Sequence, residues 1–116
     1  SVLCKWKDLL SRGEEITVTD PTATRYFWTI DQAVSLIWDA LENATNSKPY
    51  VPEMKSISIQ DLLTAMAQKY LPEGKTLLVK EIGLQPGENL HEKILADGTD
   101  SNIAEKYSIE EIKEMI

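Results

Sequence analysis

The sequence predicts a small α/β fold, of the α+β kind, with short strands and about five helices. Three observations carry this. Helical apolar spacing alternates with short β-branched runs, in the order α, β, α, β, α, β, α, α. The strands are too few and too short for a large sheet. The 116 residues supply one modest core and no second one, so residues 1–116 read as a single domain.

The elements follow in order. Val2, Leu3, Trp6, Leu9 and Leu10 recur at helical spacing, and Gly13 stands where such a helix stops. Ile16-Thr17-Val18-Thr19 is a short β-branched strand closed by Asp20-Pro21. Residues 22–27 read as a loop or a second short strand. Thr29 and Gln32 have the spacing of a capping box, and Ile30, Ala33, Val34, Ile37, Trp38 and Leu41 line one face of the helix that follows. Residues 43–49 are polar and turn-rich, and Tyr50-Val51 is a strand before Pro52. Ser58 caps the next helix, with Asp61 in its first turn, Ile57 as a staple on Leu62, and Leu63, Met66 and Tyr70 along the stripe. Pro72 and Gly74 break it. A strand is expected within residues 76–82, a turn at 83–88 and a short helix over 89–95. Ser108 and Glu111 form a last capping box, with Tyr107 stapled on Ile112, for a helix ending at Ile116.

Composition excludes several function classes. The net charge of -7 argues against a nucleic-acid binder, which needs a basic stripe. No apolar run approaches the length of a spanning helix, and no signal peptide is legible, so the expected setting is cytoplasmic with no membrane partner. Cys4 is the only cysteine, which rules out an internal disulfide and a cysteine-based metal site. His91 is the only histidine; flanked by Glu88 and Glu92, it makes a thin metal set, and no metal is expected. A surface or interface histidine is the plainer reading. Glu110, Glu111 and Glu114 read as a solvated face, and no carboxylate pair stands out as an acid–base couple.

Two segments are less ordinary. Arg25 stands beside Tyr26, Phe27 and Trp28, which would place a guanidinium at the mouth of an aromatic cluster. Arginine can clamp a phosphate in bidentate fashion, and aromatic faces can hold a base or a sugar. The plainer reading pairs Arg25 with Asp20 or Asp31 and sends the aromatics to the core. In Leu84-Gln85-Pro86-Gly87-Glu88-Asn89, Pro-Gly fits the central positions of a type II turn leading into a helix whose N–H groups could face an anion. The plainer reading is a strand-to-helix turn with Glu88 on the helix dipole.

Taken together, these segments resemble the UDP-N-acetylglucosamine 4,6-dehydratases, a group of extended short-chain dehydrogenase/reductases. The stretch from Ile16 to Phe27 is similar to the family's ITDPxMTRFF block, with Ala23 in place of its methionine. The likeness runs on through Trp28-Thr29-Ile30-Asp31-Gln32-Ala33-Val34. Residues 50–59 resemble its FVPKMPSMKI block, residues 83–92 its GIRPGEKLHE block, and residues 104–116 the AEKYTIEEIKEMI ending of related polysaccharide-biosynthesis proteins, so that 103–116 is marked as a terminal segment. Residues 1–13 match more loosely.

The resemblance implies the carboxy-terminal, sugar-nucleotide-binding lobe of such an enzyme, without its Rossmann domain. It implies a UDP-sugar ligand contacted by Arg25, Gln85 and Glu88, with Gln85 and Asn89 standing where the family carries an arginine and a lysine. The family's dehydration of the sugar uses NADP and a tyrosine-lysine pair. This chain contains neither a G-x-x-G-x-x-G turn nor a tyrosine followed four residues on by lysine, so no catalytic and no cofactor-binding residue is assigned to it. Two further readings stay open. One is an interaction module that pairs with a separate Rossmann chain or forms a homo-oligomer. The other is the lobe of a related nucleotide-sugar epimerase.

Overall fold

The computed structural model describes residues 2–43, 54–93 and 100–116. Eight elements follow one another: α1 (Val2–Ser11), β1 (Ile16–Val18), β2 (Thr24–Tyr26), α2 (Ile30–Asn43), β3 (Ser56–Ser58), α3 (Ile59–Tyr70), β4 (Val79–Glu81) and α4 (Ile109–Met115). The strands form two separate pairs. β1 and β4 are parallel, with Thr17 opposite Lys80, and β2 and β3 are antiparallel, with Arg25 opposite Ile57. The mixed α/β class with short strands therefore holds, with four helices among the described residues.

α3 organises the core. It packs on α1, α4 and β3, and buries Leu62, Leu63, Ala65 and Met66. Trp6 and Leu10 of α1, Ile16 and Val18 of β1, Ile57 of β3 and Ile112 of α4 complete the cluster. Burying each large apolar side chain contributes about 1.5–3 kcal/mol. This is why the period of three and four in α3 is kept while its other face stays polar. Gly13 ends α1 in the left-handed region at φ +70, where its N–H reaches the Leu10 carbonyl at 3.0 Å and the next N–H reaches Leu9 at 2.9 Å. A Cβ there would be strained, so glycine is required at this stop.

The helix starts follow the sequence closely. Thr29 and Gln32 bond reciprocally at 2.8 and 3.1 Å, and Ser108 and Glu111 do so at 3.0 and 3.1 Å. Ser58 accepts from the Asp61 N–H at 3.1 Å. The next two donors of α3 go to the loop before β2: Ile59 N–H to Ala23 at 2.8 Å and Gln60 N–H to Pro21 at 3.0 Å. That satisfies the free end of the helix and locks residues 21–23 in place.

Four expectations need correction. Ser56 to Ser58 form a strand where only a staple and a cap were expected. The reason is tertiary: β2 lies alongside, and Ser56 also bridges to Lys106. Residues 89–93 are not helical; Asn89 and Leu90 give their carbonyls to β2, so they cannot close an i to i+4 ladder. The stripe of α2 exists but does not enter the core. Val34, Ile37, Trp38 and Leu41 are 46%, 60%, 62% and 68% exposed. The 76–82 strand shrinks to 79–81, with one flanking bond on each side, Ile16 N–H to Leu78 and Ile82 N–H to Val18. The Tyr50-Val51 strand lies outside the described residues, as does the end of the expected 89–95 helix.

Candidate functional site

Arg25 is placed by β2, whose period of two sends Thr24 inward and Arg25 outward. Its guanidinium pairs with neither Asp20 nor Asp31. Instead Nη1 donates to the Thr24 carbonyl at 2.7 Å and to the Leu90 carbonyl at 3.0 Å, and Nη2 donates to the Asn89 carbonyl at 2.8 Å. Nε lies 4.0 Å from Glu92. The arginine thus ties β2 to the segment that follows the Pro86-Gly87 turn. Asp20 is engaged elsewhere: the Thr22 hydroxyl and backbone N–H donate to it at 2.6 and 2.8 Å, and these two bonds lower its pKa below the ordinary carboxylate value.

The turn itself is as the sequence implies. The Glu88 N–H reaches the Gln85 carbonyl at 3.0 Å and Gly87 sits at φ +86, the positive value that a type II turn requires at its third residue. Glu88 accepts from the Gln85 N–H at 3.2 Å, while the Gln85 amide donates to the Gly83 carbonyl at 3.1 Å. The turn does not open a helix among the described residues. Of the two readings of this segment, the anion site at a helix N-terminus is thus not formed among the described residues.

Arg25 and Glu88 meet in one pocket of about 340 Å³, walled by Val2 and Trp6 of α1, Thr17 to Thr19 of and after β1, and Ile59 of α3. That volume lies at the small end for ligand pockets. Gln85 belongs to the adjacent turn and does not line it. Nor does the aromatic run beside Arg25. Phe27 and Trp28 line a separate cleft of about 600 Å³ with Asp31, Lys55, Tyr107 and Glu111. The expected cluster of Arg25 with its three aromatic neighbours is thus divided, and Trp6, from a different element, supplies the ring at the Arg25 pocket. Trp6, Thr17 and Thr19 carry no site signal in the sequence, because the first reads as one of a helical apolar series and the other two as a plain strand.

Behind this pocket lies a buried polar hub that no sequence signal marks. Ser101 sits in a stretch that reads as loop. Its Oγ lies 2.7 Å from the Thr24 hydroxyl and accepts from the Glu92 N–H at 2.8 Å, and its carbonyl accepts from the Ser56 hydroxyl at 2.6 Å. His91, read as a surface or interface histidine, is half-buried, with Nδ1 2.6 Å from the Thr24 hydroxyl. These bonds fix the register of residues 90–92 against β2. They therefore fix the carbonyls that hold Arg25. Among the described residues no group of three or more His, Cys, Asp or Glu side chains converges as a metal site would need.

Residues 1–114 match the model of a family described as polysaccharide biosynthesis protein. The chain belongs to that family. It is 30% identical, over 108 residues, to a UDP-N-acetylglucosamine 4,6-dehydratase (inverting) of Campylobacter jejuni, covering 92% of this chain and 30% of that one. It is 30% identical, over 119 aligned positions, to an uncharacterized membrane protein of Methanocaldococcus jannaschii, covering 99% of this chain and 34% of that protein. The chain thus spans about a third of the length of these relatives. The X-ray structure of Pen from Bacillus thuringiensis superposes with a TM-score of 0.79 at 24% identity, over 100% of this chain and 44% of that one, a likeness of fold. No helix among the described residues is long and apolar enough to cross a membrane.

Proposed function

We propose that this chain is the sugar-nucleotide-binding lobe of a nucleotide-sugar 4,6-dehydratase of surface-polysaccharide or glycan biosynthesis, acting in the cytoplasm on a UDP-sugar. The carrying observation is the meeting of Arg25 and Glu88, from two sequence segments far apart, in one pocket lined by Trp6, Thr17 and Thr19. Arg25 supplies positive charge for a phosphate, and Glu88 with the threonine hydroxyls supplies polar contacts for the nucleoside. Gln85 shapes the turn that carries Glu88 and stands at its edge as a donor. NADP and the catalytic residues belong to the part of the enzyme that these residues do not provide. Titration calorimetry with UDP tests the reading. Arg25→Ala should weaken binding by about tenfold or more, the value of a charge-assisted hydrogen bond. Equal affinity of the parent and the variant rejects the assignment.

The exposed stripe of α2 supports a second reading, an interaction module. Four large apolar side chains at 46–68% exposure form a continuous face, of the kind that proteins bury against a partner. A separate Rossmann chain or a second copy of this one would cover it. Light scattering of the isolated chain over a range of concentrations discriminates: a monomer throughout rejects self-association.

A further inference from the structure

The charge inventory of the Arg25 pocket limits what it can hold. This step rests on the reading of the pocket as a nucleotide site. Among the described residues that line it, Arg25 carries the one positive charge. A guanidinium has five N–H donors. Three of them already donate to the carbonyls of Thr24, Leu90 and Asn89. Of the remaining two, the Nε N–H faces Glu92 at 4.0 Å, and Glu92 is held there by the Tyr26 N–H at 3.2 Å. Among the described residues, no carboxylate or carbonyl accepts from the second Nη2 N–H. Glu88 adds a negative charge to the same pocket wall, and its carboxylate is fixed toward the turn by the Gln85 N–H. Gln85, beside it, spends its amide on Gly83.

We infer that this pocket is matched to a ligand that presents it with a single phosphate. Its selectivity is for the nucleoside monophosphate portion, and a second phosphate gains nothing there. The Nη2 donor of Arg25 that no described residue engages makes one charge-assisted bond to the phosphate next to the ribose. A second phosphate would bring more negative charge toward Glu88 and Glu92 with no cation to meet it. Its Coulomb cost then offsets any added contact. The positive charge for a diphosphate has to come from outside the described lining of this pocket.

The test is a calorimetric comparison of uridine, UMP and UDP on the chain and on Glu88→Gln. The substitution removes the charge and keeps an oxygen to accept from the Gln85 N–H, so the turn is preserved. In the parent, UMP should bind more tightly than uridine, and UDP should match UMP within about twofold. In Glu88→Gln, UDP should gain on UMP by about threefold or more, because the like charge is gone. A parent that binds UDP about tenfold more tightly than UMP overturns the single-phosphate inference and leaves the nucleotide reading standing. An unchanged UDP-to-UMP ratio in Glu88→Gln overturns the role given to Glu88. If none of the three ligands binds the parent, the inference and the nucleotide reading fall together.

Discussion

Arg25 on β2 donates through Nη2 to the carbonyl of Asn89, 2.8 Å away and 64 positions along the chain. The same guanidinium holds the Leu90 carbonyl, which also accepts from the Thr24 N–H at 2.9 Å. One side chain therefore joins two blocks that sequence alone reads as separate binding motifs. Its role is structural as well as electrostatic, and the two roles separate in experiment.

Arg25→Lys keeps the charge but replaces the planar fork with a single nitrogen, which does not reach carbonyls placed for both Nη1 and Nη2. The variant should lose about 1–3 kcal/mol of stability, the range for hydrogen bonds to a charged group and for carbonyls left short of a partner. Urea unfolding at fixed pH measures this. A loss under about 0.5 kcal/mol, the level of an ordinary surface change, would show that the carbonyl bonds are not what holds the segment.

Ser101→Ala tests the hub. Its side chain is fully buried and meets Thr24 and the Glu92 N–H. Removing the hydroxyl leaves the Glu92 N–H unpaired, at an expected cost of about 1–3 kcal/mol. Amide exchange should accelerate at Glu92 and Tyr26 and stay slow at Met66, in the core. Uniform acceleration at all three would mean that the effect is global unfolding rather than release of the segment.

The capping predictions were the most legible part of the fold. Thr29, Ser58 and Ser108 all cap the helices that their spacing announces, because capping is local and needs no knowledge of the rest of the chain. β3 and the 89–93 segment were illegible for the opposite reason. Both take their form from β2, which lies far away in sequence, and over residues 89–93 the helical pattern yields because carbonyls there are claimed by Thr24 and Arg25. At the candidate site, Arg25 and Glu88 were legible as residue types. That they share a pocket with Trp6, while Phe27 and Trp28 turn to another, follows from packing that no local pattern encodes.

The two faces of apolar periodicity should respond differently to mutation. Leu62→Ala, in the core, should cost about 2–5 kcal/mol. Ile37→Gln, on the exposed stripe of α2, should change stability by less than about 0.5 kcal/mol in the isolated chain. Thermal or urea unfolding of both variants decides. A large loss for Ile37→Gln would mean that α2 is packed in this chain.

Acid should weaken the last helix. The Ser108 backbone N–H and hydroxyl bonds, helped by Lys55, hold the Glu111 pKa below its ordinary value of 4.5. A depressed carboxylate contributes stability that is fully present above the unfolded value and is lost as pH falls through the folded value. Unfolding stability of the parent should therefore decline below about pH 4.5, and Ser108→Ala should flatten part of that decline. Parallel curves for parent and variant would remove the Ser108 hydroxyl as a cause and leave the backbone N–H, which alanine keeps.

The most direct test of the nucleotide site is a map of amide chemical-shift changes on adding UDP. The changes should cluster at Trp6, Thr17, Val18, Thr19, Arg25 and Glu88, while Phe27, Trp28 and Tyr107 stay still. Changes confined to Phe27, Trp28 and Tyr107, or none at Arg25 and Glu88, would contradict it.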